Sequence, residues 1–247
     1  MAPDGAAPAR HDLRYDAVIL AGGRATRLGG VPKPTVVLDG ATLLDRALAA
    51  ARDADRTVVV GPDPALPPGR EVLVAREDPP FGGPVAGLDA GLRALDAAPG
   101  PGHDAPAWVL VLAVDVPRAG DAVPVLRAAV AGPGSTTSDG AYLVRAGRAQ
   151  WLVGLYRRDA LRRALDAVAG PGNPAALAGV PVRRLVAELS CVEVPDDVGA
   201  SADVDTWDDL RRLTVGLHTG SHTVVAARAG TGPATTRPPT DRPGGPR

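Results

Sequence analysis

Short apolar runs alternate with helical patterns from about residue 14 to residue 215. Ala17-Val18-Ile19-Leu20-Ala21 is a continuous apolar run, the pattern of a strand buried on both faces. Residues 42–52 place Leu43, Leu44, Ala47, Leu48 and Ala51 on one helical face, opened by the capping-box pair Thr42 and Asp45. Further strands are predicted at 57–60, 71–75 and 108–114, the last being the strongest strand pattern in the chain. Strands at 141–145 and 151–156 flank a turn at Gly147, and another spans 191–194. Helices are predicted at 84–95, 121–131, 157–168, 180–189 and 206–213, the last capped by Thr206 and Asp209. Strands separated by helices, with continuous apolar runs, imply a single α/β domain over 14–215: a mostly parallel central sheet flanked by helices. Such sheets bind ligands at the carboxyl ends of their strands, so the residues after each strand are where function is sought.

Composition narrows the picture. Hydrophobic residues make up 45% of the chain but aromatics only 3%, so Val, Leu and Ala carry the core. Residues 1–13 and 216–247 are rich in Ala, Pro, Gly, Thr and charge, and are expected to be disordered. The net charge is −1 and the arginines are scattered among acids, which excludes a nucleic-acid footprint. The sequence has no apolar run long enough for a membrane span and no secretory leader pattern, and a single cysteine, Cys191, excludes an internal disulfide. A cytoplasmic protein is expected. Of the 27 basic residues, Lys33 is the only lysine.

That lysine lies in the loop after the first strand, Leu20-Ala21-Gly22-Gly23-Arg24-Ala25-Thr26-Arg27-Leu28-Gly29-Gly30-Val31-Pro32-Lys33-Pro34. Paired glycines let backbone N–H groups approach phosphate oxygens, and Arg27 and Lys33 supply cations, so the loop reads as an anion cradle. Lys33 follows Pro32 with no Ser or Thr after it, which is not a Walker A loop, and the adjacent glycine pairs are not the dinucleotide fingerprint. The other reading is an ordinary glycine-rich surface connection.

The loop resembles the signature of nucleotidyltransferases of the molybdenum cofactor guanylyltransferase type, over about Asp16 to Leu213. The resemblance implies a Rossmann-like nucleotidyltransferase fold and transfer of GMP from GTP to molybdopterin or its metal-loaded form, with Mg2+. Leu20, Ala21, Gly22 and Gly23 would wrap the nucleotide, and Arg27 and Lys33 would neutralise phosphate. Gly61 stands where the family has a base-contacting residue, often Asn, and could serve only through its backbone. Glu77-Asp78-Pro79-Pro80-Phe81-Gly82-Gly83-Pro84-Val85-Ala86-Gly87 is similar to the family's Asp followed by Gly-Pro-Leu-Ala-Gly. Asp78 would contact the nucleotide, and Gly83 would open a helix beneath the base or ribose. Asp115, after the strongest strand, matches the family's magnesium-binding Asp. Asp203 or Asp205 would bring a second carboxylate, with Asp205 nearer the helix cap. Gln150 and Arg183 match positions near the acceptor, and Trp151 and Trp207 stand where Pro is usual. Lys33 and Asp115 would then share one sheet edge and, with the metal, clasp one triphosphate. The resemblance also implies transient contact with molybdoenzymes or their chaperones. Its rivals are a cytidylyltransferase of the same fold and an inactive nucleotide- or pterin-binding adaptor.

Overall fold

The computed structural model describes residues 13–23, 30–62, 66, 71–98, 105–132 and 137–214. The expected disordered ends therefore lie outside the described residues, apart from Leu13. The chain divides into two compact units, Met1–Leu210 and Arg211–Arg247, and the first holds the sheet.

A sheet of seven strands runs through the unit in the order β5-β4-β1-β6-β8-β7-β9. The strands are β1 (Tyr15–Leu20), β4 (Thr57–Val60), β5 (Leu73–Ala75), β6 (Trp108–Ala113), β7 (Gly140–Arg145), β8 (Arg148–Arg157) and β9 (Cys191–Pro195). Only β8 runs against its neighbours, β6 and β7. The remaining pairs are parallel, as continuous apolar runs require when both faces are covered. Two short strands, β2 (Val37–Leu38) and β3 (Ala41–Thr42), form a separate hairpin.

Helices α2 (Pro84–Ala97), α4 (Arg158–Ala169) and α5 (Val182–Val186) belong to one core layer, with Val18, Leu20, Val58 and Val60 beneath α2. Ala17 and Ile19 alternate with those strand residues and are wholly buried on the opposite face. There α1 (Leu43–Ala50) packs on α3 (Ala119–Ala131). The capping box opening α1 forms as expected: Thr42 Oγ1 accepts the Asp45 N–H at 3.0 Å, and Asp45 accepts the Thr42 N–H at 3.1 Å. Helix α5 is shorter than the predicted 180–189, beginning after Pro181, its N-cap residue, and ending at Val186.

The topology fixes where a ligand can sit. From β1 the chain steps outward through β4 to β5, then returns to β6 on the other side of β1. The switch point lies between β1 and β6, and a crevice opens beyond their carboxyl ends. Two glycines let α2 close over that end. A methyl at Gly91 would stand 2.8 Å from Val18 Cγ1, and one at Gly87 3.3 Å from Leu20 Cδ2.

Candidate active site

Just beyond β1 the backbone is held in sheet register. Ala21 donates to the Val60 carbonyl at 2.7 Å, and Leu20 accepts from Val114 N–H at 3.0 Å. Gly22 and Gly23 then turn out into a cavity of about 290 Å³. Leu20, Val60, Gly83, Pro84, Gly87 and Ala113 also line it, a floor of small and aliphatic groups. Asp115 stands at one end and Glu77 is a second carboxylate in the wall. Helix α2 opens on this cavity with Gly83 at φ +90° and no side-chain cap, so its first amides add positive potential there.

Lys33 sits at the start of a tight turn, Lys33–Thr35. Its backbone is pinned: its carbonyl accepts Val36 N–H at 3.1 Å, and Val36 accepts Leu43 N–H at 2.9 Å, tying the turn to α1. From there the ammonium reaches Asp115 Oδ2 and Asp205 Oδ1, each at 2.6 Å. Asp205 comes from far along the chain, delivered by Val204, whose N–H donates to the Asp115 carbonyl at 2.8 Å. Behind it, Asp209 accepts Thr206 N–H at 2.8 Å and Oγ1 at 2.7 Å, the predicted cap of the helix that starts at 207. Asp203 is 3.5 Å from Arg145.

One ammonium thus serves two carboxylates. Burial pushes the Asp115 carboxyl up, and Lys33 offsets that only in part. Burial also pulls Lys33 down, but Asp115 and Asp205 together lift it above the ordinary lysine value. The two upward shifts have different causes, burial for Asp115 and, for Lys33, the pair of carboxylates that together outweigh burial. Among the described residues no group of three or more His, Cys, Asp or Glu could hold a metal ion. Two carboxylates converging on one point still fit magnesium, which takes hard oxygen ligands and commonly keeps one or two carboxylates beside substrate phosphates.

The other expected residues are placed unevenly. Leu20, Gly22, Gly23, Gly83 and Asp115 line the cavity, and Ala21 is buried directly beneath it. Arg27 lies outside the described residues. Gly61 is not in the lining, and its N–H is spent on the Ala75 carbonyl at 3.0 Å. It has another reason to be glycine: a methyl there would be 3.0 Å from the Ala21 backbone and 3.1 Å from Gly22 N. Asp78 is exposed and outside the lining, whereas Glu77, one residue earlier, is 8% exposed and faces the cavity. Strand alternation is the reason, since Leu73, Ala75 and Glu77 share the inward parity and Val74, Arg76 and Asp78 the outward one. Gln150 bonds to the Arg148 carbonyl at 3.3 Å and Arg183 is exposed on α5; neither lines the cavity.

A switch-point crevice with a glycine loop, a lysine and paired carboxylates is the architecture of a nucleotidyltransferase-type α/β domain. The chain matches the model of the MobA-like NTP transferase domain over residues 17–191, and it belongs to that family. It is 37% identical over 163 residues to a molybdenum cofactor guanylyltransferase of Acidiphilium cryptum, covering 63% of this chain and 74% of that one. It is 38% identical over 109 residues to the Sinorhizobium fredii protein of the same name, covering 42% and 47%. The chain spans about half the length of several such curated relatives. The fold is shared with the molybdopterin-guanine dinucleotide biosynthesis protein A of Archaeoglobus fulgidus, at a TM-score of 0.59, 20% identity, and 83% and 100% coverage. No helix among the described residues is long and apolar enough to cross a membrane.

Proposed function

We propose that this chain is a magnesium-dependent guanylyltransferase that moves GMP from GTP to the phosphate of molybdopterin, or of its metal-loaded form, in the cytoplasm. The observation that carries this reading is the meeting of Lys33, Asp115 and Asp205 beside the glycine-lined cavity. Names of relatives such as that of Acidiphilium cryptum support the choice of acceptor. Transient contact with molybdoenzymes or their chaperones belongs to the same proposal.

The reaction needs positioning and charge neutralisation more than acid–base groups. A phosphate oxygen of the acceptor forms the new bond to the α-phosphorus, and the α–β bridging oxygen leaves with the bonding pair as pyrophosphate. The acceptor oxygen is already an anion, so no residue must remove a proton. Asp115 and Asp205 would hold the magnesium ion, which when bound supplies Lewis-acid stabilisation of phosphate charge. Lys33 would turn its compact ammonium to the triphosphate. Gly22 and Gly23 admit the nucleotide without side chains in its way.

Glu77 favours guanine as the base. A carboxylate only accepts hydrogen bonds. The Watson–Crick edge of guanine offers two adjacent donors, N1–H and the N2 amino group, whereas cytosine offers one donor beside an acceptor. Glu77 Oε1 accepts Phe81 N–H at 3.2 Å, which fixes the carboxylate in the wall. Glu77→Gln keeps that acceptor but turns an N–H2 toward the base. Its GTP-over-ITP preference should narrow by about tenfold or more, since hydrogen bonds to charged groups contribute roughly 1.5–3 kcal/mol.

The test of the function is pyrophosphate release with Mg2+, molybdopterin and each of the four NTPs. Release with GTP is expected. Release with CTP alone would move the chain to a cytidylyl activity, and nucleotide binding without release from any NTP would make it an adaptor.

A further inference from the structure

The two carboxylates that would hold a metal already hold a cation, and that cation belongs to the chain. We propose that Lys33 is an internal counter-ion for Asp115 and Asp205, given up only when a triphosphate arrives, so that the divalent ion enters with the nucleotide and not before it. The identity of the nucleotide rests on the reading above; the competition between lysine and metal does not.

The geometry makes the competition unavoidable. Lys33 Nζ is 2.6 Å from Asp115 Oδ2 and 2.6 Å from Asp205 Oδ1, so a divalent ion held by these two carboxylates would compete with it. The main-chain segments that carry the two carboxylates are held side by side. Asp115 follows β6, and Asp205 is tied to it through the 2.8 Å bond from Val204 N–H to the Asp115 carbonyl. Held together, they repel unless a cation or a proton offsets their charge. Asp203, the third carboxylate nearby, has its own partner in Arg145 at 3.5 Å and leaves Lys33 to the other two.

The lysine can move where its backbone cannot. Pro32, Pro34 and the bond from Val36 N–H to the Lys33 carbonyl hold the main chain. The four-carbon stem lets the ammonium swing, and its three N–H groups exceed the two carboxylates they now serve. A triphosphate beside Gly22 and Gly23 offers it other anions. Its departure uncovers the carboxylates for the metal, and the metal's arrival in turn favours the triphosphate, as reciprocal linkage requires. An arginine would suit this poorly, because its planar fork locks onto a carboxylate. In a chain that otherwise uses arginine for every basic residue, the one lysine stands where the cation must be released.

The experiment is Mn2+ binding to the full chain followed by electron paramagnetic resonance, with and without an α,β-methylene GTP analogue, for wild type and Lys33→Met. The expected result is that wild type binds Mn2+ about tenfold or more tightly with the analogue than without it. Lys33→Met should bind Mn2+ about tenfold more tightly than wild type in the absence of nucleotide, and its dependence on the analogue should largely vanish. Lys33→Gln, which keeps hydrogen bonds to the carboxylates but no charge, is the second variant should Lys33→Met not fold. A lysine that only contacts phosphate would leave nucleotide-free Mn2+ binding unchanged, and that result overturns the proposal. So does an absence of Mn2+ binding in every state. Analogue binding to wild type without metal is measured separately: its absence would sink the nucleotidyltransferase reading, while nucleotide-free Mn2+ binding would still judge the lysine.

Discussion

The two ends of the sheet handle buried charge in opposite ways. At the amino end, Asp16 opens β1 with 0% of its surface exposed and is shared by two arginines. Arg56 grips it with Nη2 at 2.6 Å and Nε at 3.2 Å while donating to the Leu95 carbonyl at 2.7 Å. Arg158 also bonds to Asp16, to the Pro106 carbonyl at 3.1 Å and to Asp96 at 2.8 Å. There two guanidiniums share Asp16, and each is engaged on several sides. At the carboxyl end the sharing runs the other way, with two carboxylates on one ammonium. The first arrangement joins β1 to the starts of β4 and α4 and closes the fold. The second gathers charged groups beside the glycine-lined cavity, which suits a binding site.

The comparison can be broken by exchanging the roles of the ends. Asp16→Asn should give the largest effect, about 3–5 kcal/mol of lost stability, because it takes a wholly buried shared anion from two half-buried guanidiniums. Denaturant unfolding measures that loss, and the kcat of the folded fraction should be unchanged. Asp115→Asn should behave in reverse. Turnover should fall by about 10²- to 10³-fold, the usual cost of removing one charge-stabilising group. Its melting temperature should stay level or rise, since a half-buried carboxylate whose burial cost Lys33 offsets only in part has been removed. A fall in stability like that of Asp16→Asn would erase the distinction between the ends.

Smaller changes sharpen it. Gly91→Ala on α2 would press a methyl to 2.8 Å from Val18 Cγ1 and 3.0 Å from Val60 Cγ2. Both neighbours are stiff β-branched residues, so a cost of about 1–3 kcal/mol in unfolding free energy is expected. The smallest effect concerns the segment that carries Asp205. Burial raises the Asp196 carboxyl, but the Ser201 hydroxyl and the Ser201 and Ala200 amides outweigh it and hold the value below the ordinary one. A depressed carboxyl stabilises the fold above its unfolded value of about 3.9, and that contribution is lost as the pH falls through the folded value. The melting difference between wild type and Asp196→Asn should therefore be present at pH 7 and narrow below about pH 4. A difference independent of pH would show that the carboxylate charge is not what holds residues 200 and 201.

The sequence made parts of this legible and hid others for physical reasons. Continuous apolar runs gave the parallel strands, and the position of Asp115 after the most apolar of them marked one end of the site. The lone Lys33 was visible by its rarity. Its link to Asp205, 172 residues away, depends on the Val204 bond to Asp115, just past β6, which no local pattern encodes. Glu77 was hidden by its neighbour: Asp78 matched the family motif, and only the parity of β5 assigns the inward place to Glu77. The β2–β3 hairpin did leave a signal. Asp39 and Gly40 both have positive φ, at 49° and 76°, as an Asp-Gly hairpin turn requires, but strands of two residues are too short to show a period. The Asp16 clamp was unreadable, because arginines at 56 and 158 look like any others in an arginine-rich chain.

The central claim is that the carboxyl end of the sheet transfers a nucleotide. Incubation with Mg2+, molybdopterin and GTP labelled at the α-phosphorus tests it most directly. The expected result is label in a pterin–guanine dinucleotide, with an equal amount of pyrophosphate released. Label that stays in GTP, or appears only as free GMP, would contradict it.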